Sequence, residues 1–135
     1  MIIPVCVPIY FWNESWLNSI KLLFFIRYML VLNVTWSVNS VAHIWGDKPY
    51  DKLIAPVENS FVSFFSGGEG WHNYHHTFPW DYKAAEFCFK FDTATHLINY
   101  FSKIGWAYDL KQASPELIKA VVARKKANII DEKQY

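Results

Sequence analysis

The sequence predicts an all-α membrane protein: one complete transmembrane helix, the end of a preceding one, and a mostly helical region on the water side. Three observations carry this expectation. Tyr28 to Trp45 runs for 18 residues without a formal charge, close to the length a bilayer span needs. Hydrophobic residues are 53% of the chain and aromatics 19%, with the excess in the first third, more than a soluble domain carries. In the last third, Asp92-Thr93 and Ser114-Pro115 each stand as a helix start ahead of an apolar run of helical spacing.

Composition bounds the rest. The 135 residues are one domain's worth of chain or less. A net charge of +1 offers no basic surface for nucleic acid. The two cysteines, Cys6 and Cys88, stand apart with no C-x-x-C spacing. They build no disulfide framework or structural zinc site, and fit a reducing compartment or membrane burial. The opening does not follow the pattern of a charged region, an apolar region and a cleavage site that marks a signal peptide, so no cleaved leader is expected.

In chain order, residues 1–12 are uncharged and apolar with Pro4 and Pro8. As a helix they reach only about 18 Å against a hydrocarbon core of about 30 Å, so they read as the end of a longer span. Residues 13–16 form a lumenal turn. It contains the sequon Asn13-Glu14-Ser15, not expected to be modified between two membrane segments. Residues 17–45 are the transmembrane helix, with Lys21 and Arg27 near its start able to reach headgroups. Trp45 and Tyr50 stand where anchors at the far interface belong. Its second half carries Thr35, Trp36, Asn39 and His43 at i, i+1, i+4 and i+8, one stripe of an α-helix. Polar groups in a span face a bundle interior or a site. Composition leaves open whether Thr35 and Asn39 only join helices and whether His43 is an interfacial hydrogen-bonded histidine.

Residues 46–135 are expected on the cytosolic side, in line with the basic triplet Arg124-Lys125-Lys126 near the end. Gly46, Pro49 and Pro56 break a loop up to Ser60, and Phe61 to Phe65 is an aromatic run that either lies in the interface or packs under the site that follows. Phe87, Phe89 and Phe91 alternate with Cys88 and Lys90 as in a short extended segment. Asp92 and Thr93 cap a helix with Leu97, Phe101 and Ile104 on one side and Gly105 as its stop; His96 on it reads as an ordinary, partly buried histidine. Ser114-Pro115-Glu116 opens a last helix with the stripe Leu117, Ile118, Val121, Val122, closed by the basic triplet where the dipole favours it.

The chemistry concentrates between Gly67 and Tyr82. Of five histidines, His72, His75 and His76 lie here, spaced i, i+3, i+4, one face of a short helix bounded by Gly67, Gly68 and Gly70 before and Pro79 after. Neutral imidazoles converging on one spot suit iron, zinc or copper. A surface cluster that binds nothing is the bland alternative. The apolar neighbours Trp71, Tyr74 and Phe78 argue for shelter instead.

The run Gly68-Glu69-Gly70-Trp71-His72-Asn73-Tyr74-His75-His76-Thr77-Phe78-Pro79-Trp80-Asp81-Tyr82 resembles the third histidine box of the membrane acyl-CoA desaturases, of stearoyl-CoA Δ9 type. The bare H-x-x-H-H is shared with lipid hydroxylases, whereas the full run is specific. Front-end desaturases usually open this box with Gln where His72 stands. Asn39-Ser40-Val41-Ala42-His43-Ile44-Trp45-Gly46-Asp47-Lys48-Pro49-Tyr50-Asp51 resembles the segment at the cytosolic end of the family's last span. The resemblance implies that His43, His72, His75 and His76 ligate iron, that Asn39 holds a water on one metal, and that Thr35 and Trp36 line the bend of the acyl tunnel. It implies a di-iron enzyme of the endoplasmic reticulum membrane that puts a cis double bond into saturated fatty acyl-CoA. Oxygen is the oxidant, and two electrons arrive from cytochrome b5 and its NADH-dependent reductase. Removing hydrogen from an unactivated methylene needs a strongly oxidising centre, which all-nitrogen neutral ligation favours. A saturated chain has no polar handle, so tunnel geometry must choose the bond.

The resemblance covers most of this chain but only about the last third of a full family member. The H-x-x-x-x-H and first H-x-x-H-H boxes are missing, and four histidines with one water cannot fill two irons. The chain alone is therefore expected to be inactive. Phe89 and Asp92 depart from the Trp and Asn of relatives. Two alternatives stand beside this reading: a lipid hydroxylase or desaturase of other regiochemistry, and a non-catalytic truncated paralogue that binds at most one metal or pairs with an intact relative.

Overall fold

The computed structural model describes residues 2–86 and 92–132, with residues 125–132 by backbone alone. The expected extended segment at Phe87 to Phe91 lies outside the described residues. Strand pairing among them is confined to two isolated bridges, Asp47 with Glu58 and Glu58 with Trp71. The chain divides into two compact units, Met1–Trp36 and Ser37–Tyr135.

In the first unit, α1 spans Ile2–Trp12 with Pro8 inside it. Asn13 takes a left-handed φ of 53°, and the Glu14 amide donates back to the Pro8 carbonyl at 3.2 Å, which turns the chain. Ser15 caps α2 (Trp16–Ser19) by accepting from the Asn18 amide at 3.2 Å. A seven-residue π-helix, Ile20–Ile26, follows, and α3 runs Arg27–Asn39. Polar side chains in α3 are satisfied by the turn before them. Asn33 Nδ2 donates to the Met29 carbonyl at 2.8 Å and Thr35 Oγ1 to the Val31 carbonyl at 2.9 Å.

Trp16–His43 is the one described helical stretch long and apolar enough to cross a membrane, at 28 residues or roughly 40 Å. Only 6% of its apolar window is buried, so it is not the packed core helix of a soluble domain. It is not one uniform helix to Trp45. The α form stops at Asn39, Ser40 leaves helical geometry at φ −122° and ψ −68°, and Val41–His43 is a 3₁₀ turn. A 3₁₀ turn advances about 120° per residue rather than 100°, so His43 does not continue the α-helical phase of Asn39.

The second unit is built around α5, His72–Thr77. Before it, α4 (Ser60–Ser66) is capped by Asn59 and ends on Gly67 at φ +77°, a left-handed stop that glycine adopts without strain. Gly70 passes so close that a Cβ there would collide with the Ser63 amide and the Asn59 carbonyl. Val62 and Ser63 are buried, and Val62 packs with Val38 and Ala42. The aromatic run lies on the other faces of α4: Phe61, Phe64 and Phe65 are all exposed.

A second cluster joins Tyr50, Tyr74, Phe78, Ala113 and Ile118, with Val121 and Val122 against it. Burying Tyr74 and Phe78, each 1% exposed, contributes about 2–3 kcal/mol apiece. Tyr50 was expected at a membrane interface; it is core, 4% exposed, and donates its hydroxyl to Glu86 at 2.6 Å. A ring that fills space between Tyr74 and Phe78 cannot also anchor in headgroups.

Helix α6 spans Thr93–Lys103, capped by the Asp92 carboxylate and followed by Gly105 at φ +79°. Leu97 and Ile104 on it are exposed, and so is His96, against the expected partial burial. Helix α7 spans Pro115–Glu132, with Ser114 accepting from the Leu117 amide at 3.2 Å. Ile118 of its apolar stripe is buried while Leu117 is 41% exposed. The basic triplet does not close α7, which continues six residues past Lys126, to Glu132.

Candidate metal centre

The 3₁₀ turn and α5, separated by 28 residues, bring His43, His72 and His76 together. One ligand nitrogen from each lies within 4.8 Å of the other two. The i, i+4 spacing places His72 and His76 on one face of α5, with Nε2 atoms 3.1 Å apart. Two nitrogens about 2.1 Å from a shared ion lie about 3.0–3.4 Å apart for right-angle to tetrahedral geometry, so this pair is at chelating separation. His43 approaches from the other segment, its ring centroid 4.9 Å from that of His72 and 5.8 Å from that of His76.

The surroundings fit a cation held by imidazole. His72 is 6% exposed, so its ring is sheltered from water. Burial, then the neighbouring His76, His43 and His75, push His72 down to about 4. Burial, His75 and His43 also lower His76. Both shifts favour the neutral imidazole, the form that offers a lone pair to a metal, although the His76 ring is exposed where His72 is buried.

His75 is not one of the trio. It is exposed, stacked on His72 at 5.9 Å and 5.5 Å from His76. Asn39 ends α3 four residues before His43 and is exposed. Thr35 and Trp36 belong to the other unit, Trp36 with 59% of its surface open.

The main chain supports the trio in ways the sequence did not announce. Asn73, between the ligands and fully buried, accepts from the Tyr50 amide at 2.9 Å and the Asp51 amide at 3.2 Å. Its Nδ2 donates to the carbonyls of Asp51 at 2.8 Å and Pro56 at 2.9 Å. Asp81, 5% exposed, accepts from the Tyr74 hydroxyl at 2.7 Å and from the amides of Ala113 and Lys83 at 2.9 Å each. Both Tyr50 and Tyr74 hold their protons well above the ordinary range, through burial first and their carboxylate partners second.

Against known proteins, the chain is 51% identical over 124 residues to the acyl-CoA Delta-9 desaturase of Acheta domesticus, covering 91% of this chain and 34% of that protein. It is 53% identical over 118 residues to the acyl-CoA Delta(11) desaturase of Trichoplusia ni, covering 87% and 34%. The chain belongs to the acyl-CoA desaturase family. A third relative, the acyl-CoA Delta-12 desaturase of Tribolium castaneum, is 46% identical over 123 residues, covering 90% and 34%. No family model matches the chain. The chain spans about a third of the length of the curated relatives it matches. Desaturases named for three different bond positions match it comparably, so the likeness carries the family and not the position of the double bond.

Proposed function

We propose that these residues form the part of an acyl-CoA desaturase that completes its iron centre and the bend of its acyl tunnel. The substrate is a saturated fatty acyl-CoA, and the product carries a cis double bond at the Δ9 position. The observation that carries this reading is the meeting of His43 with His72 and His76 across 28 intervening residues. The desaturase names of the relatives support it.

Iron held there supplies the redox chemistry by which oxygen is reduced and hydrogen is removed from the acyl chain. His43, His72 and His76 hold one ion, and the lowered His72 and His76 keep their lone pairs available at neutral pH. His75, outside the trio, serves the second iron, and Asn39 holds a water. Thr35 and Trp36 bend the acyl chain, so that geometry alone selects the carbon. Trp16–His43 fixes the chain in the endoplasmic reticulum membrane, with residues from Gly46 onward in the cytosol. Electrons come from cytochrome b5 and its NADH-dependent reductase. Four imidazoles and one water are too few for two irons, so these 135 residues alone turn over no acyl-CoA.

A second bond position has an observation in its favour, the 53% identity to a Delta(11) enzyme. One experiment separates the readings. The matching third of a Δ9 relative is replaced by this chain and expressed in yeast lacking its own desaturase. Growth without added unsaturated fatty acid, and 9-monoenes by mass spectrometry, are expected. An 11-monoene moves the bond and keeps the family chemistry. Saturated lipid alone, with the chimera accumulating in membranes, refutes the proposal.

A further inference from the structure

The trio draws on two segments whose relative placement needs an explanation beyond the rings themselves. Glu58, paired with both Asp47 and Trp71, and Asn59, bonded to both Trp45 and Gly70, tie the segments further out; next to the ligands themselves a peptide group spans them. The carbonyl of Pro56 accepts from Asn73 Nδ2 at 2.9 Å, and the amide of the same peptide unit, on Val57, donates to the Ala42 carbonyl at 2.8 Å. Asn73 directly follows His72 and Ala42 directly precedes His43. The bridge therefore runs from the backbone next to one ligand, through one rigid planar unit, to the backbone next to the other. Its surroundings are dry: Asn73 and Ala42 are each 0% exposed and Val57 2%. Hydrogen bonds on the two ends of one peptide polarise each other, and in a low-dielectric site neither end has water as a substitute.

The other three hydrogen bonds of the Asn73 side chain hold the same loop in register. Its Oδ1 takes the Tyr50 and Asp51 amides and its Nδ2 also reaches the Asp51 carbonyl. All four partners are main-chain groups, so the loop is gripped whatever its side chains.

We infer that Asn73 is a positioning residue for the metal centre: through the Pro56–Val57 peptide it sets where His43 stands relative to His72 and His76. This rests on the metal reading above, and the test is arranged so that the two fail separately. The full chain in detergent micelles is titrated with Co(II), whose visible absorption reports both affinity and ligand number. Wild type, His43→Ala, Asn73→Ala, Asn73→Asp and the His43→Ala/Asn73→Ala double variant are compared, with helix content checked by circular dichroism.

Asn73→Ala should weaken Co(II) binding by about 10- to 100-fold, the usual cost of losing a group that orients a ligand. The double variant should bind no more weakly than the worse single variant, because both changes remove the same ligand from the ion. Asn73→Asp, which keeps the acceptor and loses both donors, should also weaken binding, because the link to Pro56 is through a donor. A purely structural asparagine would lower stability while the folded fraction kept wild-type spectrum and affinity. Losses that add, or an Asn73 variant with wild-type affinity beside a His43→Ala that binds poorly, overturn the inference and leave the metal site standing. A wild-type chain that ignores Co(II) overturns both. Should the Asn73 variants not fold, hydrogen exchange of the wild-type Val57 amide decides. Slower exchange on adding Co(II) is expected, and an unchanged rate overturns the inference.

Discussion

Replacing Asp81 by alanine should destabilise the second unit by about 2–6 kcal/mol. The carboxylate is 5% exposed and accepts three hydrogen bonds: from the Tyr74 hydroxyl at 2.7 Å and from the Ala113 and Lys83 amides at 2.9 Å each. Removing it leaves the Tyr74 hydroxyl and the Ala113 amide as donors inside the core, both residues being 1% exposed. Each buried orphan costs about 1–3 kcal/mol, and the half-buried Lys83 amide can turn to water, which gives the stated range. Tyr74→Phe deletes its donor rather than stranding it and should cost nearer 1 kcal/mol. Tyr74→Phe placed in the Asp81→Ala background should then recover part of the loss, since one of the two orphans is gone. Denaturant unfolding followed by tryptophan fluorescence, in detergent, measures all four proteins. An Asp81→Ala cost below 1 kcal/mol, or two costs that simply add, would show that the carboxylate is solvated and would refute the argument.

Three further expectations follow from the same geometry. With a chelator present, stability should fall as pH drops from about 6.5 to about 4. The unfolded chain binds a proton on His72 first while the folded ring resists until about 4, a loss of order 3 kcal/mol readable as a pH-dependent unfolding midpoint; a flat profile across that window would count against burial of the neutral ring. Gly70→Ala should cost about 3 kcal/mol, because the new Cβ meets the backbone of Ser63 and Asn59 rather than a side chain that can swing away; a wild-type melting temperature would contradict the close approach. In the desaturase chimera, smaller or larger residues at Thr35 and Trp36 should shift the bond position or the preferred chain length by gas chromatography, and an unchanged product profile at both positions would remove them from the tunnel.

What the sequence made legible was local. The box helix stands between the glycines and Pro79, because backbone breakers act within a residue or two. The Asp92 cap with its Gly105 stop and the Ser114 cap are equally local, and all are present. The shared face of His72 and His76 follows from helical spacing alone. What was hidden depends on tertiary contact. All the partners of the Asn73 side chain are main-chain groups, so no residue pattern marks them. Tyr50 has the composition of an interface anchor and the position of a core ring, a choice made by Tyr74 and Phe78 arriving from elsewhere in the chain. The change to a 3₁₀ turn after Asn39 coincides with the Val57 amide capturing the Ala42 carbonyl, a bond across 15 residues that periodicity cannot contain. A basic triplet suits a helix terminus and is also tolerated in mid-helix, so Arg124-Lys125-Lys126 does not mark the end of α7.

The central claim is that His43 shares one ion with His72 and His76. X-ray absorption on the metal-loaded chain counts the imidazoles around the ion directly. Three in the wild type, two in His43→Ala and still three in His75→Ala is the result expected. A count that ignores His43 but falls on losing His75 would contradict it.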